Sequence, residues 1–252
     1  MSTYVPISLE EHKNKRWFRH SSLAFTKNEV VAPIFVGELA SAAHAMTIAF
    51  VKNENSVSLV AVMGLRTGEN LLFSSDGRWL STYIPMTYRV RPFQLLSIPN
   101  NPEQQVLCIE ESHLTDAYDG EPLFDESGKI TSAVSEIFEI AKHYSQSRKL
   151  TEIICDQISK YNILAPWEIT ISDGDQQYPV SGLYKINETA LNELDNESFL
   201  DLRQTGALPV IYAQLYAMTN ITILGELIKS TQPKKVSTPA TASETFNFSG
   251  LN

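Results

Sequence analysis

Hydrophobic and polar positions change rhythm about half-way along this chain. Before residue 128 the apolar residues come in short blocks bounded by Asn, Gly or Pro. Val30–Val36, Thr47–Lys52, Ser58–Leu65 and Gln105–Glu110 are rich in Val, Ile and Phe and read as strands. Asn53, Asn55 and Ser56 separate the second from the third, so an antiparallel hairpin is the economical connection. Glu38–Met46 is rich in alanine and predicts a short helix.

From Thr131 the period becomes that of helices. Val134, Ile137, Phe138, Ala141 and Tyr144 mark one apolar face, with Thr131 or Ser132 as its cap. After Ser145–Arg148 a second helix is expected, with Leu150, Ile153, Ile154, Ile158 and Tyr161 as its stripe and Ala165-Pro166 as its end. Trp167–Ile171 and Tyr178–Ile186 then flank an Asp-Gly turn and predict a second hairpin. Beyond it come short helical pieces with Asn187 and Asp195 as caps and Gly206 as a stop, then a long helical segment from Pro209 to about Ser230. The pattern predicts an α+β protein with a mainly antiparallel β portion over 1–128 and a helical half over 129–230 that carries the second β-hairpin. Together they form a single domain, 1–230, followed by a Ser/Thr/Pro-rich tail, 231–252, expected to be disordered.

Charge narrows the function classes. The chain carries a formal charge of −9 with 20 Lys and Arg against 29 Asp and Glu, and its longest basic run is the pair Lys234-Lys235. That is not the footprint of phosphate neutralisation, so nucleic acid is an unexpected partner. Cys108 and Cys155 are the two cysteines and show no C-x-x-C spacing, and the five histidines include no H-x-x-x-H pair, so no metal and no cofactor is expected. The first twenty residues have no continuous apolar run of the export type. Ala207–Gly225 is uncharged over nineteen residues, yet Gln214, Asn220 and Pro209 favour a core helix in a soluble protein over a membrane span. A cytoplasmic chain is the expectation, with surface location by non-classical secretion as the alternative.

One stretch carries candidate chemistry. Ser74–Phe93 holds Arg78, Trp79, Tyr83, Tyr88, Arg89, Arg91 and Phe93, Pro85 and Pro92 are expected to keep it extended rather than helical, and Arg66 lies shortly before it. Arginine forks beside aromatic faces suit a carboxylate, a phosphate or a peptide. The first reading is internal neutralisation, since Glu103–Glu126 contains eight acidic residues and no lysine or arginine. The second is a binding site built from Arg66, Arg78, Trp79, Tyr83, Arg89, Arg91 and Phe93. No serine elbow, phosphate loop or dinucleotide fingerprint occurs, and catalytic residues are not assigned.

Several blocks together resemble the bacterial SapC family: the run from Ile48 to Phe93, Cys108–Ser112, Gly120–Gly128, Ser145–Ile158, Pro166–Ile171 and Ser181–Ile221. The resemblance spans roughly Tyr4 to Lys229. It implies an envelope or surface-layer connection, not a catalytic mechanism. The leading expectation is an accessory protein that binds a protein or peptide partner. An enzyme with an arginine-lined pocket for a peptide or small anion comes next, then a structural surface-layer component.

Overall fold

Thr47–Lys52 and Val57–Val62 are nearly unbroken apolar runs, which a strand buried on both faces requires. In the computed structural model they pair antiparallel, from Thr47 opposite Val62 to Lys52 opposite Val57. The structure describes residues 3–19, 22–54, 56–98, 101–173, 176–231 and 244–245.

In chain order β1 (Tyr4–Pro6), α1 (Leu9–His12) and β2 (Arg16–Trp17) come first, then β3 (Val31–Pro33), α2 (Leu39–Ala45), β4 (Thr47–Lys52) and β5 (Val57–Val62). Next are α3 (Met86–Arg89), β6 (Phe93–Ile98), β7 (Asn101–Glu110), β8 (Leu114–Thr115), β9 (Glu121–Pro122) and the long α4 (Ser132–Lys160). Then follow β10 (Leu164–Pro166), β11 (Ile169–Asp173), β12 (Gln176–Ser181) and β13 (Leu183–Ile186). The helices α5 (Glu188–Asn192), α6 (Asn196–Gln204), α7 (Ala207–Ala217) and α8 (Ile221–Thr231) precede a last short strand, β14 (Glu244–Thr245). This is the expected α+β mixture. The expected tail lies outside the described residues, apart from Thr231 and β14.

The chain divides into two compact units, each assembled from separate stretches: Met1–Ser22 with Met86–Ser147, and Leu23–Pro85 with Arg148–Asn252. The expected partition near residue 128 does not follow these units. The first has an antiparallel sheet in the order β1-β7-β6 and a core of Trp17, Phe93, Ile109, Leu123 and the α4 residues Val134, Ile137 and Ala141. Those α4 positions are the stripe that the period predicted.

The second unit is built on the five-stranded sheet β10-β13-β4-β5-β3, antiparallel throughout. Helix α7 packs on β4 and β13, and Ile154, Cys155 and Ile158 of α4 are buried in the same unit. Gln214 on α7 is fully buried; its Oε1 accepts from Ile186 N at 3.0 Å and its Nε2 donates to Ile48 O at 3.3 Å. Asn220 Nδ2 donates to Ala43 O and Met46 O at 3.0 and 2.9 Å, answering orphan carbonyls at the end of α2.

Several expected boundaries move. The two helices expected on either side of Ser145–Arg148 are one helix of 29 residues. That segment holds no Gly or Pro to stop a helix. Ser145 Oγ donates to Gln105 Oε1 at 2.9 Å, Ser147 is buried, and Arg148 pairs with Glu152 one turn on at 2.8 Å. The expected strand Tyr178–Ile186 is broken into β12 and β13 by Gly182, whose φ of 94° lies where only glycine sits without strain. The caps Asn187 and Asp195 are as expected, accepting from Ala190 N and Ser198 N.

Candidate functional site

The arginine and aromatic residues of the candidate stretch do not form one described cluster. Arg66, Arg78, Trp79 and Tyr83 belong to one compact unit, and Arg89, Arg91 and Phe93 to the other. Asp76-Gly77 makes the turn that the sequence suggested: Ser74 N donates to Arg78 O at 2.9 Å, and Arg78 Nε pairs with Asp76 Oδ2 of the same turn at 2.7 Å. Hydrogen bonds from Ser74 and then from Arg78 hold the Asp76 carboxyl below its ordinary range. Trp79 Nε1 donates to Tyr83 O at 2.8 Å, and Tyr83 Oη donates to Glu38 Oε2 at 2.9 Å. Glu38 is buried, and its Oε1 accepts from Phe35 N at 3.1 Å. These two aromatics tie their loop to the start of α2.

On the other unit, the segment expected to stay extended turns into α3, with Arg89 exposed at its end. Arg91 is half-buried near Tyr4, whose phenol is pushed up by burial and pulled back by that guanidinium. Phe93 is 1% exposed and meets Trp17 edge-on, ring centres 4.7 Å apart. It is a core residue, which removes it from any external contact surface.

Two acids of the 103–126 segment pair with amino-terminal cations. Asp116 pairs with Lys15 and Glu121 with Arg19, each at 2.8 Å, while Arg16 donates to Gly120 O at 2.7 Å and lies over the Tyr118 ring. The amino-terminal basic residues Lys15 and Arg19 are therefore the counterions of Asp116 and Glu121. A chain-order view hides this, because Lys15 and Asp116 are brought together by β2 pairing with β8 and β9.

Nucleophile chemistry finds no support at the thiols. Cys155 is buried and desolvation pushes its thiol up to about 12, while burial also raises Cys108, so neither holds a thiolate near neutral pH. Among the described residues no group of three His, Cys, Asp or Glu is placed to hold a metal ion. Asp201 of α6 accepts from Tyr161 Oη at 2.6 Å, from Lys160 Nζ at 3.2 Å and from Gln157, and so clamps α6 to the end of α4.

Two features remain that could receive a partner. One is the outer face of α7 and α8. Ala207–Ser230 is long and apolar enough to cross a membrane by length and composition, with a mean hydropathy of 1.3 over its best 18-residue window, but only a third of that window is buried. Its inner face is Ala207, Val210, Ile211, Gln214, Ala217, Leu224 and Ile228; its outer face presents Tyr212, Tyr216 and Ile223 to solvent, Tyr216 at 75% exposure. Composition alone revealed the uncharged segment, but not that Tyr212, Tyr216 and Ile223 stand on its exposed side. The other is a groove of about 480 Å³ at the Gly182 bend, lined among others by Trp167, Ile169, Val180, Leu183 and Tyr184.

The SapC family model matches residues 7–224. The chain belongs to the SapC family. No curated protein and no solved structure matches it. The SapC span takes in the groove and all of α7, and it ends before Ile228 and β14.

Proposed function

We propose that this SapC-family chain is an accessory protein that binds a protein partner on the outer face of α7 and the start of α8, where Ala207–Gly225 carries no charge. The observation behind this reading is the exposure of Tyr212, Tyr216 and Ile223 on a helix whose inner polar groups already have partners. Tyrosine at the centre of an apolar patch is the composition of an interface hot spot. Charge selects the kind of partner. An amphipathic helix that lies on lipid carries Lys and Arg along its polar face, whereas Ala207–Gly225 has no charge and the whole chain is at −9. An apolar protein surface fits this face better than an anionic membrane.

The family resemblance supports an envelope- or surface-layer-related setting for this binding. A cytoplasmic location accords with two buried, unpaired cysteines. The earlier contact reading for Arg66, Arg78, Trp79, Tyr83, Arg89 and Arg91 is secondary here, because Trp79 and Tyr83 are engaged in holding their own loop.

A photo-crosslinking residue placed at Tyr216 tests the reading. One recurrent heterologous adduct is expected, and it should disappear in Tyr212→Ser/Ile223→Ser, with stability changed by less than about 0.5 kcal/mol as for surface substitutions. Loss of folding in that variant transfers the test to Ile223→Ser alone. A homodimeric adduct or no adduct overturns the proposal.

A further inference from the structure

Two sheets of the second unit end on the same stretch of chain. β10 is the last strand of the five-stranded sheet and β11 the last of the order β11-β12-β14, and among the described residues no strand pairs beyond either. The register fixes which main-chain groups this edge offers. Thr170 stands opposite Pro179, which has no N–H to exchange, so the mutually bonded pairs of the ribbon are Ile169 with Val180 and Ile171 with Tyr178. The N–H and C=O of Thr170 and Ser172, at the alternate positions, therefore point away from β12, and both residues are exposed. On β10 the same alternation turns Pro166 outward, since Trp167 N donates to Leu183 O at 2.9 Å across the pair. Proline offers no donor there, so an added strand is confined to β11.

Side chains next to this edge supply selectivity. Pro166 to Thr170, the residues that lead into the edge, line the groove of about 480 Å³. Of the chain's three tryptophans, Trp79 donates its indole N–H to Tyr83 O and Trp17 is sealed in a core. Trp167 lines the groove at 8% exposure, and its N–H has no acceptor among the described residues. Glu168 is the one carboxylate of the lining. It is exposed and has no ion pair among the described residues, while Lys52 is held over the Tyr184 ring at 4.5 Å.

We propose that β11 and this groove receive an extended, basic, proline-free segment of a partner protein by strand addition. Main-chain bonds to Thr170 and Ser172 hold the segment, a Lys or Arg faces Glu168, and an apolar side chain enters the groove beside a carbonyl that accepts from Trp167 Nε1. A second copy fits poorly, because edge-to-edge pairing sets two chains of net charge −9 together and brings no cation to either Glu168. This site is separate from the outer face of α7 and α8, and neither reading depends on the other.

Panning a phage-displayed library of random short peptides on the full-length chain, with Thr170→Pro as the counter-selection, tests the proposal. Proline there removes one outward N–H and none of the bonds to β12, so the variant is expected to fold. Retained peptides should be rich in Lys and Arg. The leading one, synthesised with a fluorophore, should bind about tenfold more weakly to Thr170→Pro, to Glu168→Gln and to Trp167→Phe, each of which removes one bonding group. N-methylating its main chain at alternate residues should abolish binding in one phase and spare it in the other, a measurement that needs no variant should Thr170→Pro fail to fold. No enriched peptide, enrichment of acidic peptides, equal binding to the native chain and Thr170→Pro, or equal loss from both methylation phases would each overturn the proposal. So would a chain that sediments as a dimer and becomes monomeric in Thr170→Pro, which assigns the edge to a second copy.

Discussion

Phe93 and Arg78 show how differently two residues of one sequence motif are used. Phe93 lies against Trp17 in a core that also holds Ile109 and Leu123, so its truncation leaves a cavity lined by large side chains. Phe93→Ala is expected to cost about 3–5 kcal/mol in chemical denaturation. Arg78 is exposed and its ion pair stays within its own turn, so Arg78→Ala should change stability by less than about 0.5 kcal/mol. Equal losses for the two would show that the loop carrying Arg78 is part of the folding unit's core. At this scale the sequence shows which residues are chemically able to bind. It does not show which are used up, because Trp79 meets Tyr83, and Tyr83 meets Glu38, only after the chain has folded.

Local signals were most legible at the elements. Thr47–Lys52, the caps Asn187 and Asp195, and the stripe from Val134 to Tyr144 all follow from nearest neighbours. Boundaries decided by tertiary partners were not legible. The Ser-Gln-Ser-Arg segment continues α4 because Ser145 finds Gln105, forty residues away in sequence. The long predicted strand breaks because Gly182 adopts a positive φ. A distant pair also governs the clamp between α4 and α6. Hydrogen bonds from Tyr161 and then Lys160 hold the Asp201 carboxyl below its ordinary range, so its folded pKa lies below the unfolded one. The clamp's contribution is then fully present above the unfolded value of about 3.9 and is lost as pH falls through the folded pKa. Thermal melts should place Asp201→Asn below the native chain at neutral pH and bring the two together as acid is added below about pH 4. Parallel curves across that range would rule the linkage out.

For the whole molecule, the decisive fact is that each unit is assembled from separated stretches, so neither can be seen by reading residues in order. The same holds for charge: the mildly basic first hundred residues and the acidic remainder meet where Lys15 and Arg19 reach Asp116 and Glu121. What stays unneutralised is a net −9, none of it contributed by Ala207–Gly225. That combination sets how the molecule behaves at a lipid surface. Withdrawing α7 into a bilayer would strip Gln214 from Ile48 and Ile186 and Asn220 from Ala43 and Met46, leaving polar groups in hydrocarbon. Resting only the outer face on lipid would set a negatively charged protein against an anionic surface, with Lys229, one turn from Glu226, as the one cation among the described residues of α7 and α8. The full-length chain is therefore expected to remain in the supernatant when sedimented with phosphatidylglycerol-phosphatidylcholine vesicles at physiological salt, and Tyr216→Ser should change nothing. Co-sedimentation that is lost in Tyr216→Ser would reassign the face from a protein partner to lipid.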